Sequence, residues 1–321
     1  MNTNPKISII LPTYNCQDFI ADCLNSLIND PLQDIEIIIV DDASTDNTKS
    51  LIKLFMEKDE RIKLFENHIN LGVSATRNLG LLKTTGHYTF VMDPDDFLVK
   101  DSLIKMYEKI VKDNSEILLL NAYKYFSKNR IIPFNNPFHG SDHRKFIGSC
   151  AWFCLFNSNF LKKYPKIIFT VNAHPHEDVA FTFKAFSYAS STSRLNDPIL
   201  YYRQHSNQKT FNSNENRKKS SLLSSTILVM NDLKEFVDNE NLCSSRKIMY
   251  QQQIILMISY IKISLSHFKN KNFLNFYFQR VIPVKIKTFI YRKKFTRNGN
   301  LIIKILKIPI FHQKNIINKF Q

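Results

Sequence analysis

Residues 88–97 read YTFVMDPDDF, Tyr88 through Phe97, and this stretch decides the fold. Tyr88, Phe90 and Met92 alternate with Thr89 and Val91, which suits a strand buried on both faces. Pro94 cannot continue the hydrogen-bond ladder, so Asp93, Asp95 and Asp96 are delivered to the strand's C-terminal exit. In open α/β sheets ligands bind at that edge, and Mg²⁺ or Mn²⁺ is typically held by one or two carboxylates plus the oxygens of a diphosphate. The same letters also fit an acidic turn opening a helix from about Leu103, with Asp101 or Ser102 as N-cap.

Upstream, the chain repeats one step. Lys6 to Leu11 (KISIIL) reads as a buried strand, broken by Pro12-Thr13-Tyr14-Asn15 before a helical pattern from about Phe19 to Ile28. Ile35 to Val40 (IEIIIV) is a second apolar strand. It closes on Asp41-Asp42-Ala43-Ser44-Thr45-Asp46, from which Ser44 or Asp46 is expected to cap a helix running to about Glu57. Arg61 to Glu66 supplies a third strand, and after Asn70-Leu71-Gly72 comes a helix carrying Arg77 and Asn78. Strands alternating with helices call for a parallel sheet with right-handed crossovers. Tyr14, Asp42 and Asp93 then line one sheet edge. No G-x-G-x-x-G follows the first strand and no G-x-x-x-x-G-K-[ST] occurs, which weighs against a dinucleotide cofactor site or a P-loop.

Composition divides the chain in two. Its 321 residues carry a net charge of +16, yet Asn241 to Gln321 holds 16 Lys and Arg with no Asp or Glu, leaving 28 basic against 28 acidic residues in 1–240. Cys16, Cys23, Cys150, Cys154 and Cys243 form no C-x-x-C pair, so neither a disulfide framework nor a thiolate zinc site is indicated, and a reducing cytosol fits best. The N-terminus lacks a basic n-region, and its apolar run from Ile7 to Leu11 is too short for a signal peptide. The +16 charge suggests a nucleic-acid binder as a rival reading, but the charge is segregated from the aromatic-rich part and no helix-turn-helix, RNP or zinc-finger pattern is present. No nucleic-acid partner is expected.

Five blocks in order, ISIILPTYN, IEIIIVDDASTDNT, NLGVSATRNLG, YTFVMDPDDF and HEDVAF, resemble the family 2 glycosyltransferases, inverting enzymes of the GT-A fold, over about residues 5–211. The resemblance implies a nucleotide-sugar donor, usually a UDP-sugar, and Mn²⁺ or Mg²⁺ at the Asp-x-Asp. Carried over, Pro12, Tyr14 and Asp42 contact the uracil and ribose, with Asp41 beside them and Arg77 nearby. Asp93 sits by ribose and metal, and Asp95 ligates the metal. Glu177-Asp178 matches the family's acidic pair, making Asp178 the general base. ILYYRQHSNQKT resembles a segment in which Arg203 approaches the diphosphate and His205 completes the metal shell. Trp152 falls where the family often places an aromatic against a sugar face, and His176 is a further acceptor-side candidate. For Asp41 and Asp42 helix capping is the alternative, for Arg77 a surface charge, for Asp178 a cap, for Trp152 a place in the core, and for Arg203 and His205 solvated positions on a Tyr-rich strand.

From about Asn212 the pattern stops. Leu222, Leu223, Ile227, Met230, Leu233 and Val237 keep helical spacing, followed by apolar stretches broken by Lys or Arg. None reaches the ~20 apolar residues of a spanning helix. The expected architecture is therefore an α/β open sheet of GT-A type with helices on both faces in residues 1–211, and a basic, mostly helical C-terminal region in 212–321. That region is a candidate dock for an anionic membrane, with a basic subdomain packed on the sheet as the alternative. Together these readings expect an enzyme on the inner face of the cytoplasmic membrane. It would transfer a hexosyl or N-acetylhexosaminyl group to an oligosaccharide or glycolipid in bacterial lipopolysaccharide, lipooligosaccharide or capsule synthesis. A catalytically inactive sugar-nucleotide binder is the other alternative.

Overall fold

In the computed structural model the described residues are 4–134, 150–174, 176–205, 215–244, 246, 247 and 250. All of them fall within one compact unit. Isoleucine-rich runs build its first half: β1 (Ile7–Thr13) lies between β2 (Ile35–Asp41) and β4 (Tyr88–Val91), with β3 (Ile62–Glu66) outside β2, all parallel. Every residue of β1 and β2 is buried, as strands covered on both faces require. The covering helices in this half are α1 (Ile20–Ile28), α2 (Thr48–Met56) and α3 (Val73–Lys83). Gly80 lets α3 sit tightly on the sheet: a Cβ there would lie 2.4 Å from Ile10 Cγ2.

The parallel pattern expected from the sequence ends at β4. Beyond it the sheet continues through β8 (Cys154–Asn157), antiparallel to both β4 and β6 (Ile117–Ser127), then β9 (Thr192–Arg203), parallel to β6, and β5 (Phe97–Leu98) at the edge; β7 (Arg130–Phe134) forms a hairpin with β6. Here α4 leads from β5 to β6 and α5 and α6 lie between β8 and β9, but β7 folds back on β6 as a hairpin and β8 runs antiparallel between β4 and β6, so strand-helix alternation no longer yields parallel neighbours throughout. The remaining helices are α4 (Ser102–Asp113), α5 (Ser158–Lys163), α6 (Glu177–Tyr188) and α7 (Glu215–Asn239), with a 3-10 turn at Ala151–Phe153. The result is the mixed α/β, GT-A type open sheet.

Two capping expectations change. Asp101 precedes α4 in a left-handed conformation (φ 63°) with no capping bond; the Leu103 N–H donates instead to Asp30 Oδ2 at 3.0 Å, from the turn after α1. Ahead of α2, Asp46 Oδ1 accepts the Thr48 N–H at 3.0 Å, while Ser44 Oγ is taken by the Asn15 N–H.

The boundary drawn at 211/212 falls outside the described residues. Helix α7, assigned to the C-terminal region because the family pattern stops near Asn212, lies against α6: Phe236 meets Phe183 and Tyr188 edge-on, and Val229, Met230 and Leu233 are buried with it. Ile227 and Val237, expected on that apolar face, are only half-buried. No helix among the described residues is long and apolar enough to cross a membrane.

Candidate active site

The turns after β1 and β2 are laced together. Asn15, in the left-handed region (φ 48°), accepts the Thr45 N–H on Oδ1 at 2.8 Å, and the Cys16, Gln17 and Asn47 N–H groups go to Thr48, Asp46 and Gln17 side chains. Asp41 and Asp42 belong to this framework. Asp41 accepts the Ser44 N–H (2.9 Å) and the Thr13 hydroxyl, and Asp42 accepts Asn67 Nδ2, Leu71 N–H and Gly72 N–H, each at 2.8 Å. Both are buried, and Asp42 holds the chain entering α3 through the N–H groups of Leu71 and Gly72, the two residues ahead of the helix. Pro12 is buried in β1, so of the proposed nucleoside contacts Tyr14, 41% exposed, presents its side chain to solvent.

The turn after β4 is built differently. Asp93, Asp95 and Asp96 place carboxylate oxygens within 4.8 Å of one another. Asp96 is buried; one oxygen accepts the Arg203 N–H at 2.9 Å and the other, Oδ2, has no partner. Burial, reinforced by the charges of Asp95 and Asp93, pushes the Asp96 carboxyl well above the ordinary range. Three converging carboxyls with a buried oxygen lacking a donor form a set of hard oxygen ligands short of positive charge, and a divalent cation fits it. His205 Nε2 lies 3.1 Å from Asp95 Oδ2 against the ring of Phe19. Arg203 is brought to the same turn: Nε donates to the Asp95 carbonyl at 2.9 Å, Nη2 pairs with Asp22 at 2.8 Å, and the guanidinium lies over Phe19, Phe97 and Tyr125.

Arg77 joins this cluster to the acidic pair of α6. It is 5% exposed rather than a surface charge, and its guanidinium pairs with Asp93 Oδ1 at 2.7 Å and Glu177 Oε1 at 2.8 Å. Phe169 lies beneath it, 5.3 Å from the guanidinium carbon. Burial alone would raise the Glu177 carboxyl, but the hydrogen bond from His174 and the charge of Arg77 hold it down at about 2. The neighbouring Asp178 carboxyl goes the other way: burial, then the Glu177 charge, pushes it up to about 8 against the pull of Arg77 and of the Ala151 N–H, 3.3 Å from Oδ2. Opposite shifts in adjacent carboxyls are the usual sign of divided roles, one group fixed as an anion and the other able to take a proton near neutral pH.

Trp152 and His176 stand on this side. Trp152 is 8% exposed and packs with Phe153, Tyr202 and Phe134, so the structure uses it as a wall. His176 immediately precedes α6, and burial lowers its pKa. Sequence reasoning missed Asp22, Phe19 and Asp30. Only Phe19, an aromatic just before α1, carried any local signal; the others act through partners more than 70 residues away.

An open sheet whose strand exits gather a carboxylate trio, bridged by a buried arginine to an acidic pair, is the arrangement of a GT-A type glycosyltransferase. Residues 8–171 match the family model "Glycosyl transferase family 2", and the chain belongs to that family. Among similar proteins are glycosyltransferase GlyA of Streptococcus pneumoniae (38% identity, 39% of this chain, 18% of that protein) and the poly(ribitol-phosphate) beta-glucosyltransferase of Bacillus spizizenii (32%, 61% and 32%). The matched region thus spans a third or less of these two relatives. Residues 1–349 of S. aureus TarS, in complex with UDP-GlcNAc, superpose with a TM-score of 0.65 at 21% identity, covering 84% of this chain and 77% of that one. Mannosyltransferase PcManGT from Pyrobaculum calidifontis, in complex with GDP-Man and Mn²⁺, gives 0.57 at 14% identity, covering 83% and 75%.

Proposed function

We propose that the protein is a metal-dependent, inverting glycosyltransferase that moves a hexosyl or N-acetylhexosaminyl group from a UDP-sugar to an acceptor hydroxyl. The observation that carries this reading is Arg77, which holds Asp93 of the β4 turn and Glu177 of the α6 acidic pair on one guanidinium. Donor-side and acceptor-side carboxyls are therefore held next to one another.

Asp178 takes the acceptor's proton as that oxygen bonds to the anomeric carbon from the face opposite the diphosphate. The bond to the diphosphate oxygen breaks, its electron pair leaves with the diphosphate, and the centre inverts. Glu177, fixed as an anion by Arg77 and His174, keeps Asp178 basic through its charge. Asp93, Asp95 and Asp96, with His205 as a further ligand, would hold Mn²⁺ or Mg²⁺, which supplies charge neutralisation for the departing diphosphate. Arg203 is held beside the same turn, where it fixes Asp95 and Asp96 and adds positive charge.

Donor class is tested by thermal denaturation with UDP- and GDP-sugars, with and without Mn²⁺, because a ligand raises stability by RT ln(1 + [L]/Kd). Stabilisation by UDP-sugars with Mn²⁺ is expected. Stabilisation by GDP- or CMP-sugars alone would overturn the donor assignment. Asp178→Asn should lower kcat by about 10²–10⁴-fold with UDP binding retained, the usual contribution of a general base; normal turnover would remove the role.

The acceptor reading is a hydroxyl of a growing, lipid-linked surface glycan, supported by a relative named for poly(ribitol-phosphate) and another, a cholesterol galactosyltransferase of Borreliella burgdorferi, 26% identical over 216 residues. The 16 positive charges after residue 240 support a site of action at the inner face of the membrane, each contributing up to ~1 kcal/mol near an anionic surface. Sedimentation of the full chain with anionic vesicles, and its absence with zwitterionic ones, is the expected result.

A further inference from the structure

The described residues between Tyr164 and Glu177 form no helix or strand, yet the segment leads into Glu177 and Asp178. It is held from two sides. On one, Asn78 of α3 grips Phe169 through both backbone groups, Nδ2 to the carbonyl and Oδ1 from the N–H, each at 2.9 Å. On the other, α7 ties the segment at three successive points: Glu240, just past the helix, pairs with Lys166 (2.6 Å), Asp232 accepts the Thr170 hydroxyl (2.5 Å), and the Ser225 hydroxyl donates to the His174 carbonyl.

The spacing is regular. The ties step back along α7 by eight and then seven residues, roughly two turns each, so they recur near one face of the helix. They step forward along the segment by four residues each, against about 11–12 Å of helix rise. Asp232 also accepts Lys184 Nζ of α6 at 2.5 Å, so one carboxylate clamps the segment before the acidic pair and the helix after it. Ser225 and Lys184 are buried. The last tie is the most direct, because His174 itself binds Glu177 Oε2 at 3.1 Å.

We infer that α7 is a splint for the catalytic base, with Asp232 and Ser225 as positioning residues that set the location of Glu177 and Asp178. The inference rests on the proposed role of Asp178 and extends it to a helix beyond the matched family region. The helix acts on the base through other residues. Its effect runs through Thr170, Lys184 and His174 to the start of α6, and a displacement of about 1 Å in a positioned group can cost on the order of 10²-fold in rate.

The test uses full-length Asp232→Ala, Asp232→Asn, Ser225→Ala and Glu240→Ala proteins. Asp232→Ala should lower kcat by about 10- to 100-fold with the donor KM within about twofold, Asp232→Asn should recover part of that loss, and Glu240→Ala, farthest from the base, should lose the least. Hydrogen exchange in residues 166–178 should rise in Asp232→Ala and Ser225→Ala while the β1 and β2 turns stay protected. That measurement reads the splint whether or not sugar is transferred. Unchanged exchange in 166–178, or kcat losses that follow only the fall in melting temperature across the four proteins, would overturn the inference. Absence of donor turnover by the unmodified protein, with exchange changing as described, would overturn the proposed function and leave the splint standing as a structural device.

Discussion

Two acidic turns flank the end of β1 at the sheet edge, and they differ in what reaches their carboxylates. Asp42, after β2, accepts three N–H donors, and Asp41 accepts a backbone N–H and a hydroxyl. Asp93, Asp95 and Asp96, after β4, crowd together with one buried oxygen unpartnered. The first turn has spent its charge internally, on the architecture of the loops. The second keeps its charge for something that arrives from outside.

The sharpest way to separate the two is to neutralise one carboxyl in each. Asp95→Asn should reduce Mn²⁺-dependent turnover about a thousandfold, since a bound cation contributes several kcal/mol and each 1.36 kcal/mol is tenfold. Its melting temperature without metal should hold or rise, because one of three crowded anions is gone. If Mn²⁺ stabilises the variant as well as the unmodified protein, the β4 turn is not the cation site. Asp42→Asn should show the opposite profile. Its amide would point hydrogens at one of the Leu71, Gly72 or Asn67 donors, costing about 1–3 kcal/mol in chemical denaturation, while kcat well below the melting temperature stays within a few-fold. Lost donor affinity with unchanged stability would make Asp42 a ligand and erase the distinction.

A pH titration of stability extends the comparison to α6. Glu177, held at about 2 against an ordinary 4.5, stabilises the fold above that ordinary value, and its contribution is lost as pH falls toward 2. Asp178, raised from 3.8 to about 8, contributes most below 3.8 and loses its contribution as pH rises through 8. Denaturant midpoints should therefore decline at both ends, and Asp178→Asn should flatten the alkaline decline alone. The free enzyme's kcat/KM should climb with pH through about 8, since the base works deprotonated. The smallest effect belongs to Asp22→Asn. Its carboxyl is 63% exposed, so loss of the Arg203 pair should change stability by less than ~1 kcal/mol.

The strands through β4, their parallel direction and the carboxylates at their exits were legible because period and turn chemistry are local. The burial of Arg77 was not, since α3 is only weakly amphipathic and no spacing rule says which polar residue turns inward. Asp30 capping α4 and Asp22 meeting Arg203 depend on chain segments brought together only by the finished sheet. The end of the family pattern near Asn212 separated α7 from the catalytic part, but packing follows an apolar face, and Phe236 and Asp232 sit against α6.

The lacing of the β1 and β2 turns also bears on time. Asn15, Gln17, Asp46 and Thr48 already satisfy one another's backbone, so the wall that carries Tyr14 is complete before any ligand arrives. A ligand meeting a finished wall waits for no loop to settle. Capture there should run at the ordinary docking rate for an ordered site, and preference among competing nucleotides should be expressed in residence time, through how quickly each departs.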